Sequence, residues 1–422
     1  MDNEVEVPQY FICPISLQIM KDPVTAITGI TYDRDSIEQW LISNKNHHHA
    51  TCPVTKQPLP RDFDLTPNHT LRRLIQGWCT LNAALGIDRI PTPKSPLNKT
   101  QVLKLLKDLK DEREPRDPNL QHKTLMQLEL LAAQSERNRK CLVESGVPKA
   151  VLMFIVSCFR KGQIKEGLEE ALSLLQFVKV PTEEAMLILS EDDHQILDSL
   201  TWVLALPSDQ IRNSIAVKSH AVLALKKLVH KGGPGVLERL NLEFFERIVK
   251  ILRNGAITQQ GTRASLQVML SACPWGRNRF MMVEAGAVFN LIEIELTAPE
   301  KKITELVVTI LFHLCTCADG RAQFLSHEGS IAVVTERLLK VSAAVDDKVM
   351  FVLALVSQFS ATNGVLQEML RVGTVSKLFM LLQRDHAKYL KDKAMEIIRA
   401  HSKVWKNSPC FPDPSSYASL NV

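Results

Sequence analysis

Four stretches of this chain repeat one phrase: "RNRKCLVESGVPKAVLMFI" from Arg137, "GRNRFMMVEAGAVFNLIEI" from Gly276, "GRAQFLSHEGSIAVVTERL" from Gly320 and "TNGVLQEMLRVGTVSKLFML" from Thr362. Each is a short polar start, an apolar helix, a glycine and a second apolar helix. Aligned, they bring Gly146, Gly286, Gly329 and Gly373 into register, with gaps of 140, 43 and 44 residues. That period lies in the roughly 40–47 residue range of stacked helical units, and the long gap leaves room for about three more. Such a unit cannot bury its apolar face alone, so its neighbours must cover it. The glycine sits where one helix stops and the next sets off in a new direction, a place where positive φ is needed and a Cβ is costly. The pattern predicts an all-α superhelix of about six units over residues 100–405, with unit edges between 160 and 270 less regular.

The first 80 residues do not follow this pattern, and at 422 residues the chain is long for one core. A Pro-rich, charged stretch, "GIDRIPTPKSPLN", marks residues 81–99 as a linker, and the Pro- and Ser-rich end marks 406–422 as a flexible tail. Residues 1–80 carry 7 Lys/Arg against 9 Asp/Glu, whereas the remainder carries a net +7. No basic run with interleaved aromatics occurs, which argues against nucleic-acid binding. "GGPG" at 232–235 lacks the Lys-Ser/Thr of a phosphate loop and reads as an inter-helix turn. No apolar run reaches the roughly 20 residues of a membrane span, and the start "MDNEVEVPQ" is acidic where a secretory signal is basic. Nine scattered cysteines fit reduced thiols. The expected location is the cytoplasm, with the nucleus also open.

Within residues 6–80, "FICPIS" (11–16) and "TCPVT" (51–55) look like metal knuckles that have each lost a ligand: Ser16 and Thr55 stand where a second cysteine belongs. A two-zinc cross-brace needs eight ligands. Cys13, Cys52, Cys79 and the run His47, His48, His49 fall short, leaving at most one site from Cys13, Cys52 and a histidine, or a solvated histidine loop and no metal. Structural zinc supplies on the order of 10 kcal/mol, so several hydrogen bonds and a core must replace it. The Ser16 and Thr55 hydroxyls, Asp22, Asp33, Arg34, Asp35, Glu38 and Asn68 are the polar candidates. Val24, Tyr32, Ile37, Trp40, Leu59, Ile75 and their apolar neighbours are candidates for the core. "PVTAITGITYD" predicts a hairpin, "DRDSIEQWLISN" a helix capped by Asp33, and "PNHTLRRLIQGWC" a second helix.

Taken together, "YFICPISLQIMKDPVTAITGITYDRDSIEQWL", "TCPVTKQPL" and "LTPNHTLRRLIQGW" closely resemble the U-box, the metal-free relative of the RING finger. Joined to the helical repeats, the chain resembles the plant U-box/armadillo-repeat ubiquitin-protein ligases. The implied fold class is mostly α: a small N-terminal α+β U-box (residues 6–80) followed by an armadillo-like superhelix. The resemblance implies a scaffold that recruits a ubiquitin-charged conjugating enzyme and promotes transfer to a substrate lysine, with no covalent intermediate, no catalytic residue of its own and no cofactor. It assigns contact with the conjugating enzyme to Ile15, Leu17 and Pro53. Lys56 stands where relatives use a basic residue to bridge that enzyme and ubiquitin, although Lys lacks the planar fork of Arg. Cys13, Ser16, Val24, Asp33, Trp40, Cys52 and Thr55 are implied to be structural.

The same resemblance implies a protein substrate on the armadillo groove and a role in plant stress or immune signalling, and leaves pairing of two copies open. A non-catalytic armadillo adaptor is the alternative. A nuclear-import receptor is disfavoured because the chain has only five Trp and a basic repeat half. A ubiquitin-chain elongation factor would need ubiquitin recognition elsewhere.

Overall fold

The computed structural model describes residues 6–43, 51–60, 65–83, 87, 97–110, 119–178, 195–297, 299–406, 408 and 411. The chain divides into two compact units, residues 1–96 and 97–422. Positions 84–86 and 88–96 of the expected linker, His47–His49, and most of the expected tail lie outside the described residues. Of the tail, Phe411 packs edge-on against Phe379.

In the first unit, β1 (Pro23–Thr25) and β2 (Thr31–Asp33) form the expected hairpin. Val24 pairs with Tyr32, and Gly29 turns the chain at φ 80°. A two-residue strand, β3 (Thr66–Pro67), adds to the other edge of β1, so the order is β2-β1-β3. The helices are α1 (Arg34–Ser43) and α2 (His69–Leu81). Phe11, Cys13, Met20, Val24, Tyr32, Ile37, Cys52, Leu59, Ile75 and Cys79 form one core with Ala26, all buried.

The second unit opens with α3 (Lys99–Lys110), α4 (Leu120–Gln134), α5 (Glu136–Glu144), α6 (Val147–Lys161), α7 (Leu168–Phe177) and α8 (Gln195–Ala205). It continues through α9 (Ser214–Lys231), α10 (Gly233–Glu238), α11 (Leu242–Arg253), α12 (Gln259–Ala272), α13 (Gly276–Glu284) and α14 (Ala287–Leu296). The last turns are α15 (Lys301–Cys315), α16 (Ala318–Ser326), α17 (Ser330–Arg337), α18 (Ala343–Phe359), α19 (Asn363–Arg371), α20 (Thr374–Gln383) and α21 (Lys388–Trp405). Two stacks run along it. The helices α4, α7, α9, α12, α15, α18 and α21 touch in that order, and α6, α8, α11, α14, α17 and α20 form a second file beside them. "GGPG" begins the short helix α10 where a simple turn was expected.

Gly146, Gly286 and Gly373 adopt φ of 80°, 77° and 80° at the head of α6, α14 and α20. Gly329 departs from this pattern at φ −88°. There His327 has already left α16 in extended backbone, and its Nδ1 accepts the Gly329 N–H at 3.1 Å, so the chain redirects two residues early. At α11 the glycine is replaced by Asn241, whose side chain accepts the Phe244 N–H at 2.9 Å.

Side chains also reach back to backbone carbonyls of the unit before, at helix ends and, for Leu366, inside α19. Asn278 donates to the Leu237 carbonyl (2.9 Å), Gln323 to Val283 (2.8 Å), Arg337 to Glu295 (2.7 Å), Lys377 to Thr335 (2.6 Å) and Trp405 to Leu366 (3.0 Å). Each bond ties a unit to the one before, the nearest-neighbour coupling on which a stacked array depends.

Candidate functional site

The two half-knuckles have the same backbone. In the first, the Cys13 N–H donates to the Gln18 carbonyl (2.8 Å) and the Leu17 N–H to the Cys13 carbonyl (2.9 Å). In the second, Cys52 donates to Gln57 (2.8 Å) and Lys56 to Cys52 (2.9 Å). Single bridges, Ile12 to Ile19 and Thr51 to Pro58, close the two bases. Leu17 and Lys56, each four residues after its cysteine, both take left-handed backbone, φ 55° and 58°. A side chain there costs of order 1–3 kcal/mol, so the surroundings must hold both loops in place. Aligned as hexads, "CPISLQ" (13–18) and "CPVTKQ" (52–57) show this equivalence directly.

What holds the second loop converges on a sulfur. Tyr32 Oη lies 2.9 Å from Cys52 Sγ, the Thr28 hydroxyl donates at 3.3 Å and the Thr55 N–H at 3.4 Å. Burial raises the Cys52 thiol pKa, but the bonds from Thr28, Thr55 and Tyr32 outweigh it and bring it down to about 6. Burial and the Cys52 sulfur push the Tyr32 phenol up. Trp40 Nε1 donates to the Thr51 carbonyl at 3.0 Å and pins the loop's base to α1.

The first loop is held in a similar way. Cys13 Sγ accepts the Asp33 N–H at 3.3 Å, and the Ser16 amide and hydroxyl also turn onto it. Burial opposes these bonds, yet they lower the Cys13 thiol pKa. Asp33 precedes α1 as the sequence suggests, but its carboxylate reaches across the chain and accepts the N–H groups of Lys21 and Asp22, both at 2.8 Å. The next residue along the chain, Arg34, closes this corner by binding Asp22 at 2.6 Å. Asn68, expected beside the second loop, caps α2 by accepting the Leu71 N–H at 3.0 Å.

The loops present what remains outside this framework. Leu17 is 75% exposed and Val54 48% exposed, while Ile15 and Pro53 are half-buried and Lys56 is exposed. Val54 was missed in the sequence reading; its place two residues after Cys52, matching Ile15 after Cys13, is the signal that identifies it. Val24 belongs to the core, fully buried. Cys13, Cys52 and Cys79 are all buried, so no described thiol of this unit can reach a bulky thioester. Among the described residues no three His, Cys, Asp or Glu side chains converge as a metal site.

A family model described as U-box domain matches residues 7–84, and one described as Plant U-box protein ARM repeat region matches residues 101–420. The chain is similar to E3 ubiquitin-protein ligase PUB24 of Arabidopsis thaliana, 41% identical over 97% of this chain and 95% of that one. It is also similar to PUB23 of the same organism, 41% identical over 98% and 97%, and to PUB22, 38% identical over 98% of both. A solved structure concerned with the interaction between cadherin and beta-catenin superposes with a TM-score of 0.55 at 12% identity, over 79% of this chain and 58% of that one, and shows the fold alone. With both halves matched and full-length relatives this similar, the chain belongs to the plant U-box/armadillo-repeat family and is a U-box, RING-type E3 ubiquitin-protein ligase.

Proposed function

We propose that the U-box recruits a ubiquitin-charged conjugating enzyme through Ile15, Leu17, Pro53, Val54 and Lys56, and that the armadillo repeats hold the protein substrate. The observation that carries this reading is the pair of matched loops, which keep Leu17 and Val54 exposed on a backbone tied down by buried sulfurs. An exposed apolar residue on rigid backbone loses little freedom on binding, which is how a small contact becomes a strong one.

In the reaction the substrate lysine amine attacks the thioester carbonyl held on the conjugating enzyme, an isopeptide bond forms, and the conjugating enzyme's thiolate leaves. The ligase contributes orientation: fixing the carbonyl against the amine removes freedom that the barrier would otherwise carry. In this reading Lys56, exposed on the second loop, contributes a positive charge toward ubiquitin, and the buried U-box thiols support a scaffold role without a covalent ligase intermediate. Cytoplasmic or nuclear action in plant stress and immune signalling follows from the family resemblance, and loss-of-function plants challenged with pathogen or drought test it.

A reconstituted assay with activating enzyme, a panel of conjugating enzymes, ubiquitin, ATP and chelator tests the biochemical reading. Wild-type protein forms chains and Ile15→Ala does not. A folded wild-type protein inactive with every conjugating enzyme would instead favour the adaptor reading.

A further inference from the structure

An open cleft of about 920 Å³ lies in the repeat half, between the ends of α8 and α11 and the starts of α9 and α12. Its walls are aliphatic, with Leu206, Ile211, Ile215 and Ile251 among them, and among the described residues no Asp or Glu lines it. Two lysines do: Lys218 from α9 and Lys250 from α11. Lys218 is only 6% exposed. A buried ammonium almost always has a carboxylate beside it; among the described residues Lys218 has none within 4.0 Å, and donates only to the Ser208 hydroxyl at 3.2 Å. That oxygen also accepts from Ser214, at 3.1 Å, which leaves Ser208's own hydrogen free to donate to an incoming acceptor.

These features describe half of an ion pair. Burial and the neighbouring Lys250 charge both lower the Lys218 pKa, so an anion entering the cleft relieves a desolvated ammonium that an exposed lysine repels. The amide-bearing ends of α9 and α12 face the same region and add the positive pole expected of long helices. An aliphatic wall beside a positive corner suits an anionic side chain with apolar neighbours, and an isolated inorganic ion would leave that wall exposed to water.

Building on the reading that the repeat half selects protein substrates, we propose that this cleft binds an acidic peptide segment, seating an anionic side chain, carboxylate or phosphate, on Lys218, Lys250 and Ser208 and aliphatic neighbours against Ile211, Ile215 and Ile251. Two ammonium groups match one phosphate dianion or two adjacent carboxylates.

The test probes an array of immobilised decapeptides with full-length protein. The peptides are aliphatic at the flanks and carry Glu, a Glu pair, phosphoserine, Gln or Lys at the centre. Lys218→Met and Lys250→Glu variants are run alongside; Lys250 is exposed, so its variant keeps the fold even if the buried site tolerates change poorly. The expected result is binding to anionic centres about tenfold or more above Gln and Lys, falling about tenfold in each variant. Whether phosphoserine or glutamate wins identifies the source of the charge. Anion preference that survives in both variants overturns the proposal while leaving substrate selection by the repeats intact. No preference on the array overturns it as well. Inorganic phosphate is then added to protein whose lysines carry ¹³C-methyl labels, and a shifted Lys218 signal reassigns the cleft to a small anion.

Discussion

Replacing Cys52 tests whether hydrogen bonds to sulfur hold the second loop. Cys52→Ala removes the acceptor from Tyr32, which is fully buried, and from Thr28, which is half-buried and can turn to water. Stranding the Tyr32 hydroxyl costs about 1–3 kcal/mol, and the small void left by the sulfur adds about 1 kcal/mol. The total, about 2–4 kcal/mol, corresponds to a roughly 30- to 900-fold rise in the opening equilibrium. Amide hydrogen exchange of U-box core residues in the full-length protein reads this directly, separately from the repeats. Cys52→Ser keeps an acceptor and should cost about 1 kcal/mol, whereas Cys52→Val keeps the volume without the acceptor and should exchange as fast as the alanine variant. If valine protects as well as cysteine, packing and not hydrogen bonding holds the loop, and the reasoning is wrong.

Ile15→Ala and Leu17→Ala should each lower the rate of chain formation at least about tenfold, with U-box exchange unchanged; loss of protection would instead assign these residues to the fold. Because the Cys52 thiol pKa falls from the usual 9.0 to about 6 on folding, its stabilisation is complete above pH 9 and lost as pH falls toward 6. The U-box denaturation midpoint should therefore climb across that window, and a Cys52→Ser protein that climbs equally would refute the assignment. Gly320→Ala should unfold the C-terminal repeats in a thermal melt, since its Cβ would stand 1.9 Å from the Leu314 carbonyl oxygen; a melting temperature within a degree or two of wild type would contradict the local backbone. Arg337→Met should cost about 3–5 kcal/mol, because it strands the fully buried Glu295 carboxylate. Adding Glu295→Met should recover much of that loss in urea titration, and no recovery would mean the pair is not coupled.

The period of the repeats was legible because a glycine recurs ahead of the second helix of the phrase every 43 or 44 residues, at positive φ in Gly286 and Gly373 and at φ −88° in Gly329. It faded between residues 160 and 270, where Asn241 caps a helix with its side chain and no glycine is required. The same limit explains Gly329: His327, two residues before it, redirects the chain, and composition alone does not show which of two nearby residues turns. In the U-box, apolar periodicity located Val24, Tyr32, Ile37 and Ile75 in the core. The polar contacts were harder to read, since Asp33 and Asn68 each had a good local role and a good distant one. Asp33 took the distant one, binding Lys21 and Asp22, and Asn68 the local one at α2. Energies of about 1 kcal/mol decide such choices, and sequence spacing does not resolve them.

How the loops keep their spacing without metal follows from the contacts of one strand. A zinc ion fixes a loop by binding ligands from two parts of the chain at once. Here Tyr32 and Asp33, consecutive residues of β2, reach the two loops: the Tyr32 hydroxyl meets Cys52, and the Asp33 N–H meets Cys13. Side chains alternate faces along a strand, so one residue can serve one loop through its side chain while the next serves the other through its backbone. The two anchors thus leave β2 one residue apart, about 3.3 Å along the strand, with the tyrosine ring carrying one of them outward to the second loop. Sulfur suits this place because it is large enough to gather several hydrogen-bond partners at once, Thr28, Tyr32 and the Thr55 N–H at Cys52. The two loops that present Leu17 and Val54 are thus referenced to one rigid element, and their relative position depends on the hairpin's register, with Val24 opposite Tyr32 and Pro23 opposite Asp33.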